Sequence, residues 1–128
     1  MKKILFAFFL LFIGFAASCN NNNNTVGPGG AISFTISGQV DSTNQNNYIF
    51  GFRPSVDTKL TSIIVGLPAQ PFFDTLTNGN QAYIFDSDTT YTLDPYTGVQ
   101  SGQAWTFQFA GNIVSNNEAY NVTMPFTP

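Results

Sequence analysis

After residue 31, hydrophobic and polar residues alternate along most of the chain, the pattern of strands that bury one face. The segment 32–40 alternates isoleucine and phenylalanine with serine and threonine. The clearest case is 103–110, where Trp105, Phe107 and Phe109 alternate with Thr106, Gln108 and Ala110. After residue 31 no window of helix length has apolar residues spaced three and four apart. The pattern therefore predicts an all-β domain.

Turn signals divide the rest of this region into further short strands, which we predict at 48–52, 59–67, 81–85, 90–93 and 120–126. Segment 59–67 contains Ile63-Ile64-Val65, a run typical of a strand that is buried on both faces. Residues 68–80 include two prolines and Asn78-Gly79, so they are predicted to be a long connection with room for a short strand at its centre. Gly111 is predicted to end the strand 103–110.

About seven short strands separated by turns predict a single antiparallel β-sandwich over residues 31–128. In size and strand number this region is similar to immunoglobulin and fibronectin type III domains. The paired cysteines of immunoglobulin domains do not occur in it. A small β-barrel is the alternative fold.

The N-terminal segment has a different composition. Lys2 and Lys3 precede an apolar run from residue 4 to residue 17, and small residues follow at its end. A charged start, an apolar centre and a small-residue end describe a secretory signal peptide. The apolar run is shorter than the roughly 20 residues that a transmembrane helix needs. We therefore predict that residues 1–18 are a signal peptide that is removed.

Ala16-Ala17-Ser18-Cys19 resembles the lipobox of bacterial lipoproteins, with Ala16 where leucine is usual. The resemblance implies that Cys19 becomes the first mature residue and carries a diacylglycerol on its sulfur and an acyl chain on its amino group. It implies a protein anchored by lipid in the bacterial cell envelope, and Asn20, in place of aspartate, favours the outer membrane. The alternatives are an ordinary signal peptide cut near Ala17 or Ser18, or an uncleaved anchor.

Residues 19–30 join the cysteine to the predicted domain. Five asparagines are followed by a stretch rich in glycine, with one proline, which cannot form a core. We predict a disordered tether with a reach of roughly 18 Å. The domain would then stay close to the membrane surface.

The charge and the reactive side chains of the chain exclude several classes of function. Beyond the predicted leader, Arg53 and Lys59 are the only basic residues, against seven acids. So few cations cannot neutralise the phosphates of a nucleic acid. The chain has no histidine, and its one cysteine is Cys19, which removes serine–histidine triads, thiol catalysis and zinc sites. We therefore expect no enzymatic activity.

Asp86 and Asp88, separated by Ser87, are the two carboxylates of the domain that lie closest together in the sequence. Two carboxylates across a cleft could hydrolyse a glycoside, and with Asp94 the same turn could bind calcium through its oxygens. Aspartate is also favoured in turns for backbone reasons, and a solvated turn is the preferred interpretation.

Phe72, Phe73 and Tyr96 lie on predicted loops and are the candidates for ligand recognition, because exposed aromatic rings stack on sugars or fill a partner's pocket. The preferred interpretation of the two phenylalanines is that they close one end of the sandwich. The sequence thus predicts a lipid-anchored domain with a structural or binding role. A carbohydrate-binding or accessory module of a surface uptake system is the alternative function, with a glycan or an envelope protein as partner.

Overall fold

The computed structural model describes residues 2–5 and 32–128, with side chains described only for 32–128. Within these ranges the chain forms strands, turns and loops and no helix, so no helix there is long and apolar enough to span a membrane. The strands are β1 Lys2–Leu5, β2 Phe34–Val40, β3 Asn47–Pro54, β4 Thr58–Leu67, β5 Phe72–Asn78, β6 Tyr91–Thr92, β7 Tyr96–Thr97, β8 Trp105–Ile113 and β9 Ala119–Phe126.

Two sheets pack against each other. The first has the order β1-β5-β4-β8-β9, and the second has the order β2-β3-β6, with β7 also paired to β3. All neighbours are antiparallel except β1, which runs parallel to β5. The sheets do not close into a barrel, so the predicted β-sandwich is confirmed.

The core lies between the sheets and is rich in aromatic rings. Trp105, Phe107 and Phe109 on β8 are all buried, as their alternation predicts. Phe34 of the second sheet stacks on Phe109 with 3.8 Å between the ring centroids, and the ring of Phe50 lies 5.0 Å from that of Phe107. Each such ring contributes roughly 1.5–3 kcal/mol through burial, so the aromatic residues hold the sheets together.

The predicted connection at 68–80 is mostly strand. β5 spans seven residues and forms a hairpin with β4, in register from Ser62↔Thr77 to Leu67↔Phe72. The turn between them is closed by the amide of Gln70, which donates to the carbonyl of Leu67 at 3.0 Å. The prolines flank or lie in this turn, where a missing N–H is tolerated.

The predicted strand at 81–85 is wrong. Only Phe85 pairs with another strand, through an isolated bridge to Thr58. Before it, the amide of Tyr83 donates to the carbonyl of Asn80 at 3.1 Å and closes a turn. The rings of Tyr83 and Phe85 still pack together, at 4.8 Å, so the aromatic pattern reflects a local cluster and not a strand.

Gly111 does not end β8, which continues to Ile113. Opposite it, the pairing of β4 with β8 shifts between Leu60 and Ser62, as at a β-bulge. A Cβ on Gly111 would lie 2.2 Å from the carbonyl oxygen of Lys59. Glycine therefore permits a close approach of two strands here.

β4 is central in its sheet but is not buried on both faces. Leu60, Ile63 and Val65 point inward and are buried, whereas Ser62 and Ile64 on the other face are half-buried. Cys19, the predicted tether 19–30 and the predicted signal peptide, apart from residues 2–5, lie outside the described residues.

Candidate functional site

The outward face of the five-stranded sheet presents a continuous set of side chains. Residues paired across antiparallel strands point to the same side, and those that alternate with the buried residues of β8 point away from the core. The resulting surface, which we call the outer platform, has three rows across β5, β4, β8 and β9: Phe73, Gly66, Thr106 and Pro125; Thr75, Ile64, Gln108 and Thr123; Thr77, Ser62, Ala110 and Asn121.

The outer platform contains no ionisable side chain. Lys59, paired with Asn112, lies beyond its third row. Among the acids of the described domain, only Asp74 lies on a strand, and it is buried. The other acids lie outside the strands: Asp41, Asp57, Asp86, Asp88, Asp94 and Glu118. The platform therefore offers hydroxyl and amide groups without a net charge.

Phe73 stands at one corner of this platform and is 60% exposed. Its ring lies against Gly66, where an added Cβ would come within 2.9 Å of Phe73 Cδ1 and 2.8 Å of Thr106 Oγ1. Glycine at this position lets the ring approach the backbone of β4. Phe73 thus lies against the backbone of β4 and keeps a large exposed surface.

Phe72 lies on the opposite side of β5. Its ring meets Tyr96 and Trp105 edge-on, with centroids 6.4 and 6.2 Å away, and it is 40% exposed. The structure therefore separates the two phenylalanines. Phe72 packs on rings of the core at one end of the sandwich, whereas Phe73 belongs to the outer platform.

Tyr96 is in contact with Phe72 but is itself buried. Its hydroxyl donates a hydrogen bond to Oδ2 of Asp74 at 2.8 Å. Burial raises the pKa of Tyr96 above its usual range, and the hydrogen bond to Asp74 raises it further. The hydroxyl therefore stays protonated and acts as a donor inside the domain, where it offers little surface to a ligand.

Asp86 and Asp88 lie in a turn, as predicted, closed by the amide of Thr89 on the carbonyl of Asp86 at 3.3 Å. The turn is also fixed by Asp57, whose Oδ1 accepts from the amide of Ser87 at 2.9 Å. Asp94 follows β6. Within the described residues no three acidic, histidine or cysteine side chains form a group that could hold a metal ion. The calcium prediction gains no ligand set from the structure.

The sequence did not identify the polar members of the outer platform. Gln108 and Asn121 lie on neighbouring strands, and Gln108 Nε2 donates to Asn121 Oδ1 at 2.7 Å. This bond fixes the orientation of both amides. The available signal was the lack of charge at every outward position of β8 and β9 from Thr106 to Pro125. This lack of charge indicates a binding surface only once the strand register places these residues on the same face as Phe73.

Comparisons of the chain with family models, with curated proteins and with solved structures found no match.

Proposed function

We propose that this chain is a lipid-anchored, non-catalytic binding domain of the bacterial envelope and that its outer platform binds neutral glycans. The observation that carries the proposal is Phe73, an aromatic ring that is 60% exposed beside an uncharged surface of hydroxyl and amide groups. Neither lipid anchoring nor glycan binding requires a catalytic residue.

The chemistry of the outer platform matches that of a neutral sugar. A sugar ring has an apolar C–H face, which packs on an aromatic ring, and hydroxyl groups that exchange hydrogen bonds with threonine, glutamine and asparagine. An acidic or basic sugar would meet no opposite charge within the three rows. At a strand spacing of about 4.8 Å, four strands span about 14 Å, which is enough for a short oligosaccharide.

The lipid anchor rests on the sequence, because Cys19 lies outside the described residues. Two or three acyl chains would hold the domain at the membrane, since each buried methylene contributes about 0.8 kcal/mol. Asn20 after the cysteine favours the outer membrane, and the tether would place the start of the domain at a root-mean-square distance of roughly 18 Å from the bilayer.

The glycan proposal is tested by measuring the binding of the domain to a panel of neutral polysaccharides by affinity electrophoresis and calorimetry. Phe73→Ala should weaken binding about tenfold or more, because the loss of a central aromatic anchor costs about 2 kcal/mol and about 1.4 kcal/mol corresponds to a factor of ten in Kd. Phe72→Ala is the matched control, since it removes the same ring from the adjacent position on the opposite side of β5. Equal binding by Phe73→Ala and the parent, or no binding by the parent to any glycan in the panel, would contradict the proposal.

The anchor is tested by labelling cells with radioactive palmitate. The parent should incorporate label and stay with membranes after a carbonate wash, whereas Cys19→Ala should lose both the label and the membrane association. Asn22→Ser, within the tether, is the control and should behave as the parent. If Cys19→Ala remains with the washed membranes, Cys19 is not the anchor.

A further inference from the structure

The edge of β5 is covered by a segment that the processed protein would lack. β1 pairs parallel with β5 over four positions, Lys2↔Thr75, Lys3↔Leu76, Ile4↔Thr77 and Leu5↔Asn78. Residues 2–5 belong to the predicted signal peptide. After its removal β5 would keep β4 on one side and have no strand on the other side. Its backbone N–H and C=O groups there would be available for pairing.

We infer that the free edge of β5 in the processed chain accepts an extended strand of a partner protein, which adds parallel to β5 in the register of β1. This inference rests on removal of the signal peptide, which is part of the proposed function, but not on glycan binding. Main-chain hydrogen bonds from an added strand are a known mode of peptide recognition. The partner segment is extended, free of proline and combines basic with aliphatic residues, as the Lys2–Leu5 strand does.

β5 lacks most of the features with which sheets protect an exposed edge. Such edges commonly carry a lysine, a proline or a bulge, and Phe72–Asn78 has none of these along its length. Its one charged residue, Asp74, points into the core, which is the single protective feature that this edge has, and its carboxylate already accepts a hydrogen bond from Tyr96. On the far side of the same sheet, β9 contains Pro125, which cannot donate a hydrogen bond to an added strand.

β5 is also held in place at two points that do not involve β1. Asp74 accepts the hydrogen bond of Tyr96 from the second sheet, and Asn78 Nδ2 donates to the carbonyl of Leu60 at 2.8 Å. Both side chains are buried. An edge that is already ordered costs little conformational entropy when a strand docks, so the added hydrogen bonds contribute directly to affinity.

The parallel direction indicates which kind of strand docks. Two copies of the domain that paired through β5 around a two-fold axis would place their β5 strands antiparallel. The strand seated on this edge in the structure is parallel. We therefore expect a segment of a different sequence and not a second β5.

The test uses residues 20–128, exported behind a leader that does not direct lipidation, and a synthetic peptide of residues 1–6. A peptide carrying Ile4→Cys should form a disulfide with a Thr77→Cys domain about tenfold faster than with a Thr75→Cys domain, because bonding requires Cα atoms about 4.4–6.8 Å apart. A Lys2→Cys peptide should show the opposite preference. Equal rates for both pairs would overturn the inference.

A second measurement examines the backbone. Alternate amides of a strand face its neighbour, so only one of the two consecutive amides of Lys3 and Ile4 should bond to β5. Of two peptides N-methylated singly at Lys3 or at Ile4, one should therefore bind about tenfold more weakly and the other should bind normally. Loss from neither position would overturn strand addition.

Other outcomes also decide the question. Disulfide-linked dimers of the Thr77→Cys domain that form without peptide would show that a second copy occupies the edge. Failure of residues 20–128 to fold would show that β5 requires β1. Either result overturns the inference. The Phe73→Ala variant should cross-link to the peptide normally. Cross-linking therefore tests strand addition independently of glycan binding, and either proposal can fail without the other.

Discussion

Tyr96 donates a hydrogen bond from its hydroxyl to Oδ2 of Asp74 at 2.8 Å, and this bond connects the two sheets of the sandwich. Tyr96 lies on β7 beside β3, and Asp74 lies on β5 beside β4. Both residues are buried, with 6% and 5% of their surface exposed. A buried carboxylate is costly unless it accepts hydrogen bonds, so this contact fixes β5 against the second sheet.

Removal of the tyrosine hydroxyl should lower the stability of the domain. Tyr96→Phe keeps the ring but takes a donor from a buried carboxylate, and we expect a loss of about 1–3 kcal/mol in the free energy of unfolding. Urea denaturation measures this loss as a lower midpoint at an unchanged slope. Asp74→Asn is the matched control and should lose less, because its side-chain carbonyl can still accept. An unchanged midpoint for Tyr96→Phe would contradict the structural role of the bond.

The stability should also fall at alkaline pH. Burial raises the pKa of Tyr96 above its usual range, with the hydrogen bond to Asp74 as a further cause, and burial raises the pKa of Tyr120 to about 12. The native state therefore favours the neutral phenols. Their contribution is present in full below the unfolded pKa of about 10 and is lost as the pH rises above it towards the raised native values.

The slope of this loss can be measured. Each tyrosine reduces the unfolding free energy by up to about 1.4 kcal/mol per pH unit above pH 10. Urea denaturation at pH 9, 10 and 11 should show a flat region followed by a decline. The double variant Tyr96→Phe and Tyr120→Phe should show a smaller decline. A decline that is already complete below pH 9 would contradict the assignment to these phenols.

Phe72 and Phe73 should differ in their effect on stability although they are adjacent and identical. Phe72 contacts the rings of Tyr96 and Trp105, so Phe72→Ala should lower the unfolding free energy by about 1–2 kcal/mol. Phe73 is largely exposed, and Phe73→Ala should change it by only about 0.5 kcal/mol. Thermal and urea denaturation of the two variants provide the comparison. Equal losses would mean that Phe73 is a packing residue and not a free recognition surface.

Local alternation predicts the strands whose inward residues are all apolar. β8 and β9 follow this rule with Trp105, Phe107, Val122 and Met124, and both were predicted. β5 breaks it, because its inward positions include the buried polar residues Asp74 and Asn78. Their partners are Tyr96 and the carbonyl of Leu60, which are distant in sequence. No local pattern could have shown that these polar side chains belong to a core.

The candidate site was predictable only in part. The sequence shows that residue 73 is aromatic and that it lies near a turn. Its position beside Thr106 depends on the pairing of β4 with both β5 and β8, which brings residues more than thirty positions apart together. The burial of Tyr96 depends on the same long-range packing. Sequence analysis therefore finds the residue types of a site more readily than the surface they form.

Two glycines in the five-stranded sheet allow an effect on the outer platform to be distinguished from an effect on the pairing of the strands. A methyl group on Gly111 would meet the backbone oxygen of Lys59 at 2.2 Å, which cannot move without disturbing β4. A methyl group on Gly66 would meet the side chains of Phe73 and Thr106, which can rotate away. Gly111→Ala should therefore cost about 1–3 kcal/mol in unfolding free energy, and Gly66→Ala should cost clearly less.

Glycan binding should respond in the opposite order. Gly66→Ala should weaken binding because it displaces Phe73 from its place on β4, whereas Gly111→Ala lies outside the outer platform and should leave the affinity of the folded protein unchanged. Urea denaturation and calorimetric titration with a neutral polysaccharide, performed on the same preparations, measure the two effects. If both variants lose stability and affinity in parallel, the binding loss reports unfolding, and the contact of Phe73 with Gly66 has no separate role in recognition.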